Sequence, residues 1–103
     1  DLDDSRLAVA KNFGADFCLD PSKVDVLEIV KAETSGRGAD ISMEAVGISA
    51  STQTAICCLR KGGTSTLVGN LAKTVDMPLQ EVVTRQVTPV RTCASAGEFP
   101  ACL

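Results

Sequence analysis

SGRGADISMEAVG, residues 35–47, is the stretch whose reading decides the fold. Ser35, Gly36 and Gly38 punctuate a turn, and from Ala39 the chain reads as a strand that ends at Gly47. Within it Ile41, Met43 and Ala45 alternate with Asp40, Ser42 and Glu44. A central parallel strand covered on both faces is almost wholly apolar. Either one face of this strand is wet, or its polar groups find partners inside the protein, and Glu44 is read as structural rather than catalytic. Gly36-Arg37-Gly38 has the look of half a phosphate fingerprint, but it follows a helix and precedes a strand, the reverse of the order that phosphate binding needs. It is read as a turn.

Outward from this strand the chain alternates. Upstream, DPSKVDVLEIVKAETSG carries Val24, Leu27 and Val30 at helical spacing, with Asp20 or Ser22 as the expected cap and Pro21 near the first turn. Before it, Ala15 to Leu19 reads as a short strand, and Ser5 to Phe13 as a helix started by Asp3 and Asp4 and stopped by Gly14. Downstream, Ser49 or Ser51 is expected to cap a helix through Leu59, closed by Gly62 and Gly63. TSTLVGNL reads as a strand, LQEVVTRQ as a short helix, QVTPVRT as a last strand on the sheet edge that Pro89 requires, and GEFPACL as the start of a further element. Strands alternating with helices predict right-handed crossovers in an α/β domain with a mostly parallel sheet of about four strands.

At 103 residues the chain has room for one domain and an ordinary core. The net charge of -3 leaves no basic stripe for nucleic acid, and three Phe with no Trp or Tyr leave few rings for stacking bases. No apolar run reaches the length of a membrane span, and no signal-peptide pattern is present. Five cysteines without C-x-x-C spacing, and no histidine, argue against a disulfide framework and a zinc knot. The cysteines are read as small buried hydrophobes in a reducing cytoplasm. Lys73 with Asp76, and Glu81 with Arg85, are read as surface charges.

The order DLDDSRLAVAKNFGAD, SGRGADISMEAVG, LRKGGTSTLVG, MPLQEVVTRQ and GEFPACL resembles the medium-chain zinc-type alcohol and polyol dehydrogenases, and only the later part of their coenzyme domain. The resemblance implies an incomplete Rossmann-like, three-layer α/β/α arrangement over residues 1–103, with NAD as cofactor and a small alcohol or polyol as substrate. The family's zinc-binding catalytic domain, the first two strands of its Rossmann fold and the glycine-rich turn have no counterpart in these residues. Asp1 stands where the resemblance puts the acid that hydrogen-bonds the adenosine ribose, a group that would repel a 2′-phosphate and so favours NAD over NADP. Arg6 matches a basic position near the same ribose. Val46 matches a position against the adenine, with Gly47 turning the chain beside it, while Val68 and Gly69 end the next strand near the nicotinamide half. Both glycines read equally well as plain strand-to-helix turns. Where the family usually carries a glycine, this chain has Arg91, which is expected to weaken nicotinamide placement.

In the strand order 3-2-1-4-5-6, removing the first two strands leaves the third two places from the fourth. Strands lie about 4.8 Å apart, so the gap has to be resolved, by sliding, by pairing of two copies across the bare edge, or by the rest of a larger protein. A homodimer through the exposed edge follows if the chain stands alone. The functional alternatives are a coenzyme-domain segment of an NAD-dependent dehydrogenase, not catalytic by itself, and a stand-alone scaffold that self-associates and has lost coenzyme binding.

Overall fold

Helices α1 (Asp4–Asn12) and α2 (Val26–Glu33) lead into β1 (Ala39–Glu44), α3 (Ser49–Cys57), β2 (Leu59–Leu67), α4 (Leu79–Thr84) and β3 (Thr88–Arg91) in the computed structural model, which describes residues 1–93 and Pro100. The three strands form one parallel sheet in the order β1-β2-β3. The architecture is α/β and incomplete Rossmann-like, with α3 and α4 as the crossovers. Apart from Pro100, the GEFPACL stretch lies outside the described residues.

Local chemistry sets the helix starts. Asp3 caps α1, its carboxylate accepting from the amides of Ser5 (2.8 Å) and Arg6 (3.3 Å). Asp25 caps α2, accepting from the amides of Leu27 (2.9 Å) and Glu28 (3.1 Å). The cap expected at Asp20 or Ser22 is therefore displaced. Asp20 is occupied by the turn before the helix, accepting from the Ser22 amide at 2.9 Å and the Ser22 hydroxyl at 2.7 Å. Its carbonyl takes the amides of Lys23 and Val24 as well. Helix α3 begins after Ile48, which has no capping side chain, so neither Ser49 nor Ser51 is its cap.

Two strand expectations are corrected. Ala15–Leu19 is not a strand, and among the described residues the sheet has three strands where about four were expected. A strand exists only through its neighbours' hydrogen bonds, and this segment has none in the sheet: among the described residues β1 pairs with β2 alone. Gly62 and Gly63 do not close a helix but lie inside β2. Between the pairs Ala39↔Leu59 and Ile41↔Thr64 the register shifts, and Gly62, at φ 73°, takes up the bulge. Among the described residues Pro89 does sit on an edge strand, β3.

The core is small and lies between α3 and the sheet. Ile56 and Leu59 are fully excluded from solvent, with Ala55 and Val87 beside them. Each such aliphatic side chain contributes roughly 1.5–3 kcal/mol relative to exposure. The opposite face of β1 is open, with Ile41 67% and Met43 72% exposed, so the second helical layer expected of a three-layer fold does not cover β1. On the α3 side the polar residues of β1 all find partners. Ser42 donates to Ser65 (3.0 Å), Asp40 pairs with Arg37 and Arg60, and Glu44 is buried in bonds described below.

Arg85 is more than a surface charge. It pairs with Glu81 at 3.1 Å, but its guanidinium also donates to the carbonyls of Cys57 and Leu59, fastening the end of α4 to the α3–β2 connection. The four cysteines among the described residues are less buried than expected: Cys18, Cys57 and Cys58 are half-buried and Cys93 is exposed, all as free thiols, while Cys102 lies outside the described residues. Among the described residues no helix is long and apolar enough to cross a membrane.

Candidate functional site

The carboxyl ends of β1 and β2 converge on Glu44. Its side-chain Oε1 accepts from the amides of Val46 and Gly47, each at 2.8 Å, and from the Ser51 hydroxyl at 2.7 Å. Its backbone carbonyl accepts from the amides of Val68 (2.7 Å) and Gly69 (3.0 Å). Only 3% of Glu44 is exposed. Burial pushes its carboxyl up, but the Ser51 hydroxyl and the two amides outweigh that and hold it below its ordinary value of 4.5. The polar alternation in the sequence was the signal for this residue, and what it left open was the partner set.

Gly47 and Gly69 meet at this junction. A β-carbon on Gly47, whose φ is +84°, would lie 2.6 Å from the Leu71 nitrogen, and one on Gly69 would lie 2.5 Å from the Val46 nitrogen. Both glycines are thus required by the crossing of the chain itself. Val46 and Val68, beside them, are 48% and 41% exposed. Four of the six residues singled out from the sequence therefore stand together at one rim of the sheet, the rim where open α/β sheets receive ligands.

An open hollow of about 600 Å³ borders this rim, lined by Leu67–Asn70 at the end of β2 and Arg91–Cys93 at the end of β3. Arg91 stands in its wall, exposed. Asn70, Thr92 and Cys93 also line it and carry no signal in the sequence beyond following a strand.

The other two residues form a separate pair. The Asp1 carboxylate lies 3.8 Å from the Arg6 guanidinium and accepts from the Asp3 amide at 3.0 Å. Side-chain exposure of 42% for Asp1 and 73% for Arg6 leaves both open to a ligand. Among the described residues no hydrogen bond or ion pair joins this pair to the strand ends. Lys23 ties the start of α1 to the turn below, its ammonium 3.1 Å from both Asp4 and Asp20. The Ser22 hydroxyl and amide, then Lys23, hold the Asp20 carboxyl down from 3.8 to about 2.

These groups suit a nucleotide coenzyme in part: an exposed carboxylate as acceptor for ribose hydroxyls, a guanidinium beside it, and a hollow at the strand ends. They do not suit zinc. The chain has no histidine, and no group of three or more potential ligands occurs among the described residues.

Comparison with known proteins points one way. Residues 1–103 match the family model described as zinc-binding dehydrogenase. The L-idonate 5-dehydrogenase of Vitis vinifera is 35% identical over 107 residues, covering 100% of this chain and 29% of that protein. Rattus norvegicus sorbitol dehydrogenase is 36% identical over 89 residues, 84% of this chain and 25% of its own length. Among solved structures, 2R,3R-butanediol dehydrogenase from Bacillus subtilis superposes on 98% of this chain and 29% of its own, with a TM-score of 0.85 and 26% identity. A zinc dependent alcohol dehydrogenase 2 from Streptococcus pneumonia gives 0.84 and 30% identity over 98% of this chain and 30% of its own. The chain thus spans less than a third of the length of these relatives.

Proposed function

Since the chain belongs to the zinc-binding dehydrogenase family, we propose that residues 1–103 form one partial coenzyme-binding domain of an NAD-dependent alcohol or polyol dehydrogenase. The observation that carries this reading is the convergence of Val46, Gly47, Val68 and Gly69 at the carboxyl rim of a parallel sheet, beside an open hollow. Asp1 accepts from the adenosine ribose hydroxyls, Arg6 steadies the same end, Val46 lies against the adenine, and Val68 with Gly69 faces the nicotinamide half. Bound NAD supplies the hydride acceptor for a small alcohol or polyol; these residues bind and orient it. Catalytic metal and proton relay lie with other parts of the longer family members, and this segment is not catalytic by itself. Free thiols at Cys18, Cys57, Cys58 and Cys93 fit a reducing, cytoplasmic setting.

A thermal-shift titration of the chain with NAD, ADP-ribose and NADP tests the reading. NAD and ADP-ribose are expected to stabilise the folded chain by about 2.7 kcal/mol at a hundred times Kd, read as a higher melting temperature, and NADP much less. Asp1→Asn narrows the gap between NAD and NADP. No shift with either NAD or ADP-ribose overturns it.

A second reading is favoured by one observation, the open edge and face of β1 with Ile41 and Met43 exposed. On that reading the chain is a scaffold that has lost coenzyme binding and self-associates through β1 as a homodimer. Light scattering that gives a monomer mass over a wide concentration range rules it out.

A further inference from the structure

We infer that Glu44 is a positioning residue that shapes the coenzyme-facing rim, holding the ends of β1 and β2 as one joint. The inference rests on the proposed coenzyme reading for its functional consequence, but the joint itself stands on geometry. The side chain anchors Val46 and Gly47, and the main chain of the same residue anchors Val68 and Gly69. All four positions assigned to the adenine and nicotinamide halves therefore hang from one buried residue.

The bond pattern also says what the joint does. One carboxylate oxygen takes three donors, two from the turn after β1 and one from the first turn of α3 through Ser51. It thereby fixes the angle at which the chain leaves β1 and enters the crossover helix. Gly47 is placed where its backbone meets Gly69, so a turn after β1 that swings out releases the end of β2 as well. A side chain with no acceptor leaves the part-buried Val46 amide and the buried Gly47 amide unpaired, an arrangement that drives the turn to rearrange. Glu44 touches neither substrate nor reacting atoms in this scheme; it acts through Val46, Gly47, Val68 and Gly69.

Native-state amide hydrogen exchange and ADP-ribose titration of the same samples test it, with the unsubstituted chain, Glu44→Gln and Glu44→Ala. Glu44→Ala is expected to speed exchange at Val46, Gly47, Val68 and Gly69 together by at least about tenfold, relative to the Ile56 and Leu59 amides, and to weaken ADP-ribose binding by a similar factor. Glu44→Gln, which keeps an oxygen in place, restores most of both. Should Glu44→Ala not fold, Ser51→Ala removes one of the three donors and is expected to produce the same four-residue pattern at a few-fold amplitude. Faster exchange spread evenly over the core, or confined to Val46 and Gly47, overturns the joint. Failure of the unsubstituted chain to bind ADP-ribose overturns the coenzyme reading instead, and the exchange pattern still decides the joint.

Discussion

Gly47 and Gly69 stand back to back at the ends of adjacent parallel strands, with no room for a β-carbon on either. Gly69 is free of any left-handed requirement, so its need for glycine is purely one of space, whereas Gly47 combines crowding with a φ of +84°. Gly69→Ala is expected to cost at least the upper part of the roughly 1–3 kcal/mol typical of overpacking, because backbone atoms and not flexible side chains meet the added methyl. Urea unfolding checks it; a cost near zero means that the two strand ends do not crowd one another.

The core is so small that single truncations in it weigh heavily. Leu59→Ala is expected to destabilise by about 2–5 kcal/mol, while Ile41→Ala, on the open face of β1, stays within about 0.5 kcal/mol. Equal costs in urea titrations would place the core on the other side of the sheet.

Acid should unfold the chain through carboxylates whose folded values are depressed. Asp20 falls from 3.8 to about 2, and Glu44 is held below 4.5. A depressed acid contributes stability above its unfolded value and loses it as the pH falls through its folded one. Urea midpoints are therefore expected to be flat above about pH 5 and to fall steadily towards pH 2, with Asp20→Asn flattening the lower part of the curve. Midpoints independent of pH down to 2 contradict this.

Arg91 stands in the wall of the hollow at the strand ends, a long cationic side chain beside the path assigned to the nicotinamide half. Arg91→Gly is expected to tighten NAD binding several-fold by clearing space for the nicotinamide ring, with ADP-ribose affinity unchanged because it lacks that ring. Calorimetric titration with both ligands reads the difference, and identical changes for the two exclude a steric effect on nicotinamide.

What could be read from the residues, and what could not, divides along local and non-local lines. The turn at Ser35–Gly38, the existence of a strand after it and the short helix at Leu79 depend on chemistry within a few residues and were legible, whereas β2 begins at Leu59, ahead of the expected TSTLVGNL, because its pairing with β1 draws Gly62 and Gly63 into the strand. The polar alternation in β1 announced that Asp40, Ser42 and Glu44 needed partners, but Arg60, Ser65 and Ser51 come from other elements and could not be named. Ala15–Leu19 has the composition of a strand and lacks a neighbour, which composition does not reveal. Asp20 and Asp25 are equivalent as caps in isolation; the turn that closes on Asp20 leaves Asp25 to start α2. Arg85 looked like half of an i,i+4 pair because its carbonyl partners, Cys57 and Leu59, lie far back in the chain.

Helix α1 buries no residue. Polar ties join it and the residues just before it to the rest of the chain: Lys23 to Asp4, Lys11 to the Asp16 carbonyl, and the Asp1 nitrogen to the Leu19 carbonyl. The rim at Gly47 and Gly69 is held instead by packed backbone and by hydrogen bonds to Glu44, which is shielded from solvent. Ionic strength therefore acts on the two halves of the candidate site unequally. With a Debye length of about 30 Å at 0.01 M shrinking to about 3 Å at 1 M, concentrated electrolyte loosens the helix that carries Arg6 and leaves the glycine junction as it was.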